Sequence, residues 1–216
     1  FIMKIENLDF LHALNLLAQQ TGVALPKARS ELAARNPMIN VNAKAMKYFQ
    51  ASLEADQGTL ARNYLIKRKV QAAEILQFGL GYSPSTGNEL MRVMEHEGVS
   101  TQQLLATGLV TQDERGQIRE MFRGRLMFAI RNVGGEIVGF AGRSLDDSPP
   151  KYINSPQTDL FDKGKLLYGL DLAKDMLASE GMAVIVEGYM DVITAHKYGY
   201  RNVIASMGTS LTESQV

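Results

Sequence analysis

The segment Met182-Ala183-Val184-Ile185-Val186-Glu187-Gly188-Tyr189-Met190-Asp191 decides how the C-terminal part of this chain folds. Its first five residues form an unbroken apolar run, which is typical of a parallel strand buried on both faces. We expect a helix to follow and to end near Lys197, with Val203-Ile204-Ala205-Ser206 as the next strand. A strand, a helix and a second strand in this order predict a βαβ unit with parallel strands.

Two acidic residues stand where the apolar strand ends. Glu187 follows the strand directly, and Asp191 comes four residues later, near the start of the expected helix. Open α/β sheets bind ligands at the carboxyl ends of their strands. Two carboxylates at such an end can hold a hard divalent cation, or one of them can serve as a general base. From the spacing alone, a helix-capping aspartate beside a surface glutamate is an equally good interpretation.

The composition excludes several classes of protein. Of the 216 residues, 45% are hydrophobic and 21% are charged, which is typical of a globular protein and not of a disordered chain, a collagen or a coiled-coil rod. The chain contains no cysteine, so it has neither a disulfide nor a thiolate zinc site. No apolar run reaches the ~18 residues that a membrane-spanning helix needs.

Charge is balanced overall but unevenly distributed. Basic and acidic residues number 23 each, so the net charge indicates no polyanionic partner. Between Arg119 and Arg143, however, the sequence contains five arginines and only two acidic residues. Such a local excess can hold phosphates, although charge alone favours a solvated sheet face. The five are Arg119, Arg123, Arg125, Arg131 and Arg143.

The first part of the chain is helical in pattern. Apolar residues from Phe10 to Ala18 at helical spacing predict a helix, with Asp9 as its N-cap and Gly22 at its end. We expect a polar linker from Lys27 to Asn42, broken by Pro37. A further helical region, interrupted by Gly58, should follow. Its inward residues are expected to be Met46, Phe49, Leu53, Leu60, Tyr64 and Leu65.

The middle of the chain alternates short strands and short helices. The segment Phe78–Pro84 reads as a strand that enters a turn, and Asn132–Gly135 as the turn of a hairpin. The hairpin strands are expected at Leu126–Ile130 and Glu136–Phe140, and helices at Glu89–Glu97, Thr101–Thr107 and Leu170–Ser179. The fold class is therefore α/β of the mixed α+β kind, with an α+β part before the βαβ unit.

A series of motifs, in a fixed order, carries a family resemblance. Val186–Asp191, together with Ala205–Thr212, resembles the opening of a TOPRIM domain, and more narrowly that of the bacterial replicative DNA primases. Upstream segments resemble the basic N-terminal subdomain of the same family. They are Tyr64–Arg68, Phe78–Pro84, Leu104–Val110, Phe122–Ile130, Gly139–Leu145, Pro150–Pro156, Leu160–Gly164 and Leu167–Leu170.

This resemblance implies a division of the chain into three parts. Residues 1–32 would be the exit helix of a zinc-binding domain and its linker, and 33–180 the basic subdomain of the RNA polymerase core. Residues 181–216 would be the start of the TOPRIM domain, since the family's second acidic strand end and Asp-x-Asp motif are expected beyond Val216. Zn²⁺ is expected only in the zinc-binding domain, outside the chain.

The resemblance also implies roles for individual residues. Glu187 would coordinate Mg²⁺ (or Mn²⁺) or act in proton transfer, and Asp191 would complete the acidic cluster. The DNA template would lie along Arg68, Arg143, Lys151 and Lys163, with Tyr152 beside them. Cations hold the phosphates of a single strand and an aromatic ring stacks on a base, although each cation taken singly is more simply a solvated side chain.

The sequence departs from the family pattern at two notable positions. Lys69 stands where the family usually has glycine after Arg68, which changes the demands on that turn. Met121 replaces a common basic residue, which removes one possible phosphate contact. The histidines His12, His96 and His196 lack metal-ligand spacing and are expected to be ordinary helix residues.

The implied function is that of a DNA primase, which joins ribonucleoside triphosphates into short RNA primers on single-stranded DNA. Its partners would be the template, the RNA–DNA hybrid product and a replicative helicase, in the cytoplasm and without a membrane. One alternative is a single-strand binding module without catalysis. Another keeps the TOPRIM chemistry in a topoisomerase or nuclease, which the primase-like segments before Glu187 disfavour.

Overall fold

The computed structural model describes residues 28–146, 148–208 and 211–215, with side chains from residue 37 onward. The chain divides after Pro37 into two units, and the second, Met38–Val216, contains all the motifs discussed below. The helix expected between Asp9 and Gly22, together with His12 and most of the segment 1–32, lies outside the described residues.

The described residues contain both helices and strands. The α-helices are α1 (Ala28–Glu54), α2 (Thr59–Lys67), α3 (Ala72–Phe78), α4 (Glu89–His96), α5 (Thr101–Ala106), α6 (Leu170–Glu180) and α7 (Tyr189–Lys197). A 3₁₀ turn at Asp56–Gly58 separates α1 from α2. Within the described parts of the chain, no helix combines the length and the apolarity needed to cross a bilayer.

The strands of the described residues form three sheets. They are β1 (Leu80–Ser83), β2 (Val110–Gln112), β3 (Ile118–Glu120), β4 (Arg125–Arg131), β5 (Ile137–Ser144), β6 (Tyr152–Asn154), β7 (Val184–Val186) and β8 (Val203–Ala205). The largest sheet has the order β1-β4-β5-β6 with antiparallel neighbours, and β2 pairs with β3. The strands β7 and β8 pair in parallel, with Val184 opposite Val203.

The central strand β4 is buried on both faces. Leu126, Phe128 and Ile130 enter a core that also contains residues of α2, α3, α7 and β8. Met127 and Ala129 enter a second core, built with residues of α1, α4 and α5. Because successive strand side chains point to opposite faces, one apolar strand can serve both cores. The mixed α/β fold class is thereby confirmed, with an antiparallel sheet between two layers.

The predicted hairpin and the predicted βαβ unit are both present. The strands β4 and β5 pair on either side of the turn after Arg131, and β7, α7 and β8 follow one another with parallel pairing. The burial expected for Met182–Val186 is wrong, however. Val184 and Ile185 are 41% and 42% exposed, because β7 pairs only with β8 among the described residues and its outer edge is uncovered.

Other expectations failed where tertiary contacts outweighed local signals. The linker expected from Lys27 to Asn42 is helical from Ala28 onward, with Pro37 inside α1. The loss of one helical hydrogen bond at Pro37 is offset by good helix formers before it and by the buried residues Val41 and Phe49 after it. Leu60 is exposed rather than inward.

Several short elements were not expected from the sequence. The helix α3 ends at Phe78, so the strand expected from that residue begins only at Leu80, after Gly79 in the left-handed conformation. The strands β2, β3 and β6 were also unexpected. They are three residues long, which is too short for alternation to be visible.

Lys69 adopts the left-handed backbone conformation, with a φ of 58°, directly after the C-cap residue Arg68 of α2. This residue thus makes the same turn that glycine would favour, and an L side chain there costs ~1–2 kcal/mol. The turn is held by a hydrogen bond from the Val70 amide to the Leu65 carbonyl, 3.0 Å long. The hydrogen bond at the end of α2 therefore holds Lys69 in this strained backbone conformation.

We expect Lys69→Gly to stabilise the chain by about 0.5–1 kcal/mol, because glycine relieves the positive φ but gains freedom in the unfolded state. The free energy of unfolding in urea measures the effect. Lys67→Gly, at the last residue of α2, where φ is not positive, is the matched control and should destabilise, because glycine there lowers helix propensity and relieves no strain. Equal losses for both variants would show that the turn carries no strain.

His196 is a buried residue of α7. Its Nε2 lies 2.8 Å from the Val203 carbonyl oxygen, and its Nδ1 is buried without a hydrogen-bond partner among the described residues. The ring packs edge-on against Phe78, with centroids 5.4 Å apart. Burial lowers the pKa of His196, and Arg201 lowers it further, while the Val203 carbonyl opposes them.

The lowered pKa of His196 predicts a pH-dependent stability. The unfolded chain takes up a proton near the ordinary histidine pKa of about 6.5, whereas the folded chain resists protonation, so the free energy of unfolding should fall as the pH is lowered from 7 to 5. Urea unfolding at several pH values measures this slope. His196→Gln should flatten it, and His96→Gln, at an exposed position, should leave it unchanged. An unchanged slope in His196→Gln would contradict the assignment.

Candidate nucleic-acid interface and acidic strand end

The guanidinium of Arg143 lies between two tyrosine rings. Its Cζ is 4.5 Å from the centroid of Tyr64 and 5.3 Å from that of Tyr152, and its Nη1 donates a 2.9 Å hydrogen bond to the Tyr152 hydroxyl. Arg143 is only 9% exposed. Cation–π contacts with this degree of desolvation contribute about 2 kcal/mol each. Arg143 therefore fixes the position of both rings and presents little of its own charge to solvent.

The sheet and α2 bring these groups together. Arg143 in β5 is the register partner of Tyr152 in β6, and directly opposed strand residues have neighbouring side chains. Arg68 lies four residues after Tyr64, so both side chains share one face of α2, and its Cζ is 5.5 Å from the Tyr64 centroid. We call Tyr64, Arg68, Arg143 and Tyr152 the basic–aromatic cluster.

Tyr64 is the member of the cluster that sequence reasoning missed as a functional residue. It was expected to be an inward residue of the helix, and it is half-buried. Burial raises the pKa of Tyr64, and the neighbouring Arg143 and Arg68 oppose that shift. The Tyr-x-x-x-Arg spacing was the available signal, because a tyrosine and an arginine four residues apart meet on a helix.

The two predicted lysines are exposed. Lys151 precedes Tyr152, and its carbonyl oxygen accepts a 2.9 Å hydrogen bond from the Ser144 amide. Lys163 lies in a turn, and its carbonyl oxygen accepts a 2.9 Å hydrogen bond from Gln215 Nε2. Within the described ranges, neither ammonium group is in an ion pair, and no contact joins Lys163 to the basic–aromatic cluster. Lys151 therefore extends the cluster, and Lys163 stands apart from it.

The run of five arginines does not form one basic surface. Arg131 lies 3.6 Å from the Asp171 carboxylate and donates to the Gln77 carbonyl at 3.0 Å. Arg125 donates to the Pro150 carbonyl at 3.0 Å, which ties the loop before Lys151 to β4. These side chains have structural partners, so the charge available to a polyanion comes from fewer residues than the sequence count indicates.

A chain of aromatic contacts connects the cluster to the acidic strand end. The Tyr152 and Tyr189 ring centroids are 5.7 Å apart, and the Tyr189 hydroxyl donates a 2.7 Å hydrogen bond to Asn154 Oδ1. Asn154 Nδ2 donates in turn to the Met207 carbonyl at 3.2 Å. Burial raises the pKa of Tyr189. Because Tyr189 begins α7, these contacts fix the strand end relative to the cluster.

Glu187 and Asp191 lie at the carboxyl end of β7, as predicted, and both are exposed. Gly188 is the N-cap of α7, and the Asp191 amide donates to its carbonyl at 3.1 Å. A Cβ added to Gly188 would lie 2.8 Å from Asp191 Oδ2. The missing side chain therefore leaves room for the Asp191 carboxylate beside the backbone of Gly188.

The two carboxylates are the type of ligand that a divalent cation prefers, but two protein ligands are fewer than a complete coordination shell needs. Oxygen ligands suit Mg²⁺, which usually keeps several waters and takes few protein ligands. Among the described residues, no group of three or more histidine, aspartate or glutamate side chains is close enough to hold a metal. Glu187 and Asp191 can thus supply part of a coordination shell.

Comparisons with known proteins agree with these features. The family model of the DNA primase catalytic core, N-terminal domain, matches residues 48–174, and the Toprim domain model matches residues 181–216. The DNA primase of Deinococcus radiodurans is 43% identical over 213 residues, which are 98% of this chain and 36% of that protein. The chain thus spans little more than a third of the length of this relative.

Solved structures show the same fold. The RNA polymerase domain of Mycobacterium tuberculosis primase, in complex with a double-stranded DNA oligomer that has a 6-nucleotide overhang, matches with a TM-score of 0.78 and 36% identity, over 82% of this chain and 56% of that one. A primase catalytic domain bound to single-stranded DNA matches with a TM-score of 0.74 and 36% identity, over 84% and 58% of the two chains.

The hydrogen bond between Arg143 and Tyr152 predicts an energetic coupling. In a double-mutant cycle of Arg143→Met and Tyr152→Phe, urea unfolding should give a coupling energy of about 1–2 kcal/mol, because the donor is charged and nearly buried. The matched cycle of Arg68→Met with Tyr152→Phe should be additive, since no contact joins those two residues in the described structure. Additivity in both cycles would show that Arg143 does not hold Tyr152.

Proposed function

This chain belongs to the DNA primase family, and we propose from this membership that it contributes to the template-directed synthesis of short RNA primers on single-stranded DNA. One observation carries the proposal. The acidic strand end leads directly into α7. The first residue of this helix is Tyr189, and the centroid of its ring lies 5.7 Å from that of Tyr152 in the basic–aromatic cluster. A site for nucleotide phosphates and a site for a nucleic-acid strand thus adjoin through one aromatic contact.

In this proposal the template follows the exposed cations. Arg68, Lys151 and Lys163 hold phosphates of the single strand, and Tyr152 offers its ring to a base. Arg143 acts as a positioning residue, because its guanidinium is already engaged by two rings and a hydroxyl. The DNA-bound relatives support a DNA template.

The acidic strand end is the proposed site of the ribonucleoside triphosphate. Glu187 and Asp191 would hold Mg²⁺ or Mn²⁺, with Glu187 as the principal ligand or a proton acceptor. Such an ion, when bound, stabilises charge on the attacking and leaving oxygens of a phosphoryl displacement. Gly188 leaves space beside the Asp191 carboxylate, and Tyr189 keeps the strand end in place.

We also propose the division of the chain that the sequence indicates. In this division, residues 1–32 are the exit helix of a zinc-binding domain and its linker. Residues 33–180 form the basic subdomain of the polymerase core, and residues 181–216 begin the TOPRIM domain. The matches to two family models, which meet between residues 174 and 181, support this division. The RNA–DNA hybrid and a replicative helicase would be further partners of the whole protein.

Single-strand binding without catalysis is the second candidate for the chain taken alone. It is favoured by the basic–aromatic cluster, which is complete within the described residues, whereas the carboxylates supply only part of a metal site. It predicts affinity for single-stranded DNA that falls steeply with salt and does not require Mg²⁺. Magnesium-dependent primer synthesis by the protein separates the two functions.

In the full-length protein, Glu187→Gln is expected to abolish primer synthesis without weakening the binding of single-stranded DNA. The amide keeps the size of the side chain but removes the charge that would hold the cation. Primer extension products and fluorescence anisotropy with a labelled oligonucleotide measure the two properties. Binding of Mn²⁺, followed by electron paramagnetic resonance, should weaken in the same variant.

Asp175→Asn is the matched control for this experiment. Asp175 is an exposed carboxylate in α6, and its variant should keep both primer synthesis and Mn²⁺ binding. Wild-type synthesis by Glu187→Gln would exclude the metal role of Glu187. Parallel losses of synthesis and of DNA binding would instead indicate that the variant disturbs the fold or the template path.

A further inference from the structure

Two large aromatic side chains are exposed at the end of α7. Tyr198 and Tyr200 flank Gly199 and are 64% and 67% exposed. Aromatic rings normally bury most of their surface, and exposed tyrosines and tryptophans are enriched where proteins bind partners. Neither ring belongs to the basic–aromatic cluster or to the acidic strand end, so the function proposed above assigns them no role.

The backbone that carries these rings is fixed. Gly199 adopts a positive φ of 90°, and its amide donates to the His196 carbonyl at 3.0 Å. The Tyr200 amide donates to the Ala195 carbonyl, also at 3.0 Å. This is the glycine-terminated helix end that satisfies the last carbonyls. The rings are thus presented from an ordered turn, which lowers the entropy lost when they bind a ligand.

Basic residues lie close to the two rings in the sequence and are joined to the turn after α2 by one hydrogen bond. Lys197 Nζ lies 5.9 Å from the centroid of Tyr198 and donates to the Lys69 carbonyl oxygen, which joins the end of α7 to the turn after α2. Arg201, directly after Tyr200, is exposed. In the turn that Lys197 contacts, Lys67, Arg68 and Lys69 are exposed, and neither 67–71 nor 197–202 contains an acidic residue. We call the residues 67–69, 197, 198, 200 and 201 the α7-end patch.

A purely structural explanation accounts for only part of the patch. A cation in the last turn of a helix is stabilised by the negative end of the helix dipole, which suits Lys197. That effect explains neither the two exposed rings nor the three consecutive basic residues after α2. Exposed aromatic rings among cations are what a flexible single strand requires, because its bases stack on the rings and its phosphates pair with the cations.

We propose that the α7-end patch binds single-stranded DNA and continues the template path away from the basic–aromatic cluster. Arg68 belongs to both surfaces, since its Cζ lies 5.5 Å from Tyr64 and the next residue receives the hydrogen bond from Lys197. The inference rests on the proposed function in one respect, namely that the cluster itself binds the template. It assigns base stacking to Tyr198 and Tyr200 and phosphate contact to Arg201.

The absence of tryptophan from the chain permits a direct test. In Tyr200→Trp, the single indole should stack on a base, so its fluorescence should fall when an oligothymidylate of about 20 nucleotides is added, and less with a duplex of equal length because duplex bases are inaccessible. Val133→Trp is the control, at an exposed position in the hairpin turn, and should show no change. Anisotropy of the labelled oligothymidylate measures the binding itself.

Substitutions measure the energetic contribution of the patch. Joint replacement of Tyr198 and Tyr200 by alanine should weaken binding at least about ten-fold, and joint replacement by phenylalanine should preserve it, because stacking needs the ring and not the hydroxyl. Arg201→Ala should reduce the salt dependence by about 0.7 in the slope of log K against log salt. All three changes lie at exposed positions, and circular dichroism verifies the fold.

The outcomes separate the patch from the function on which it rests. Quenching in Tyr200→Trp together with weaker binding by the alanine variant supports the inference. In a second outcome, the wild type binds tightly while Tyr200→Trp shows no quenching and the alanine variant binds equally well. That result would confine the template path to the basic–aromatic cluster and contradict a role for the α7-end patch. No binding by the wild type at all would refute the proposed template path, and the patch with it.

Discussion

The rest of the structure depends on one constraint, the burial of β4 on both faces. Phe128 points to one side and Met127 to the other, so two separate cores form on a single strand. Tyr189 closes the first of them. Its ring stacks on Phe128 with centroids 5.3 Å apart and meets Tyr168 edge-on at 4.8 Å. A residue at the start of α7 is therefore part of the core of the antiparallel sheet, and Glu187, two residues earlier, is positioned by that core.

Local signals were sufficient wherever an element is defined by its own residues. Asn132–Gly135 marked the hairpin, because a turn of this composition between two apolar runs admits few other arrangements. Gly98, Gly108 and Gly181 marked the ends of α4, α5 and α6, and all three have the positive φ that makes glycine the preferred residue there. The βαβ unit was likewise visible, since its helix and strands lie next to each other in the sequence.

Long-range contacts decided what the sequence left open. Nothing in the local pattern shows that Arg143 and Tyr64, which are far apart in the sequence, meet across the sheet and α2 at 4.5 Å. Pro37 was interpreted as a break, although buried residues further along hold α1 together. The acidic pair was located correctly at the end of β7, but the local pattern did not show that the Asp191 carboxylate lies beside the bare backbone of Gly188.

The division of the two cores along the chain has a consequence for biosynthesis. Every residue of the second core, from Val41 to Phe140, precedes α6 in the sequence, whereas the first core extends from Leu53 to Met207. A ribosome delivers the chain from its N-terminus. One face of β4 can therefore be covered while translation continues, but the opposite face stays open until β8 has emerged. During that interval Phe128 lacks the ring of Tyr189 and Phe78 lacks that of His196, so the nascent chain exposes apolar surface on this face of β4.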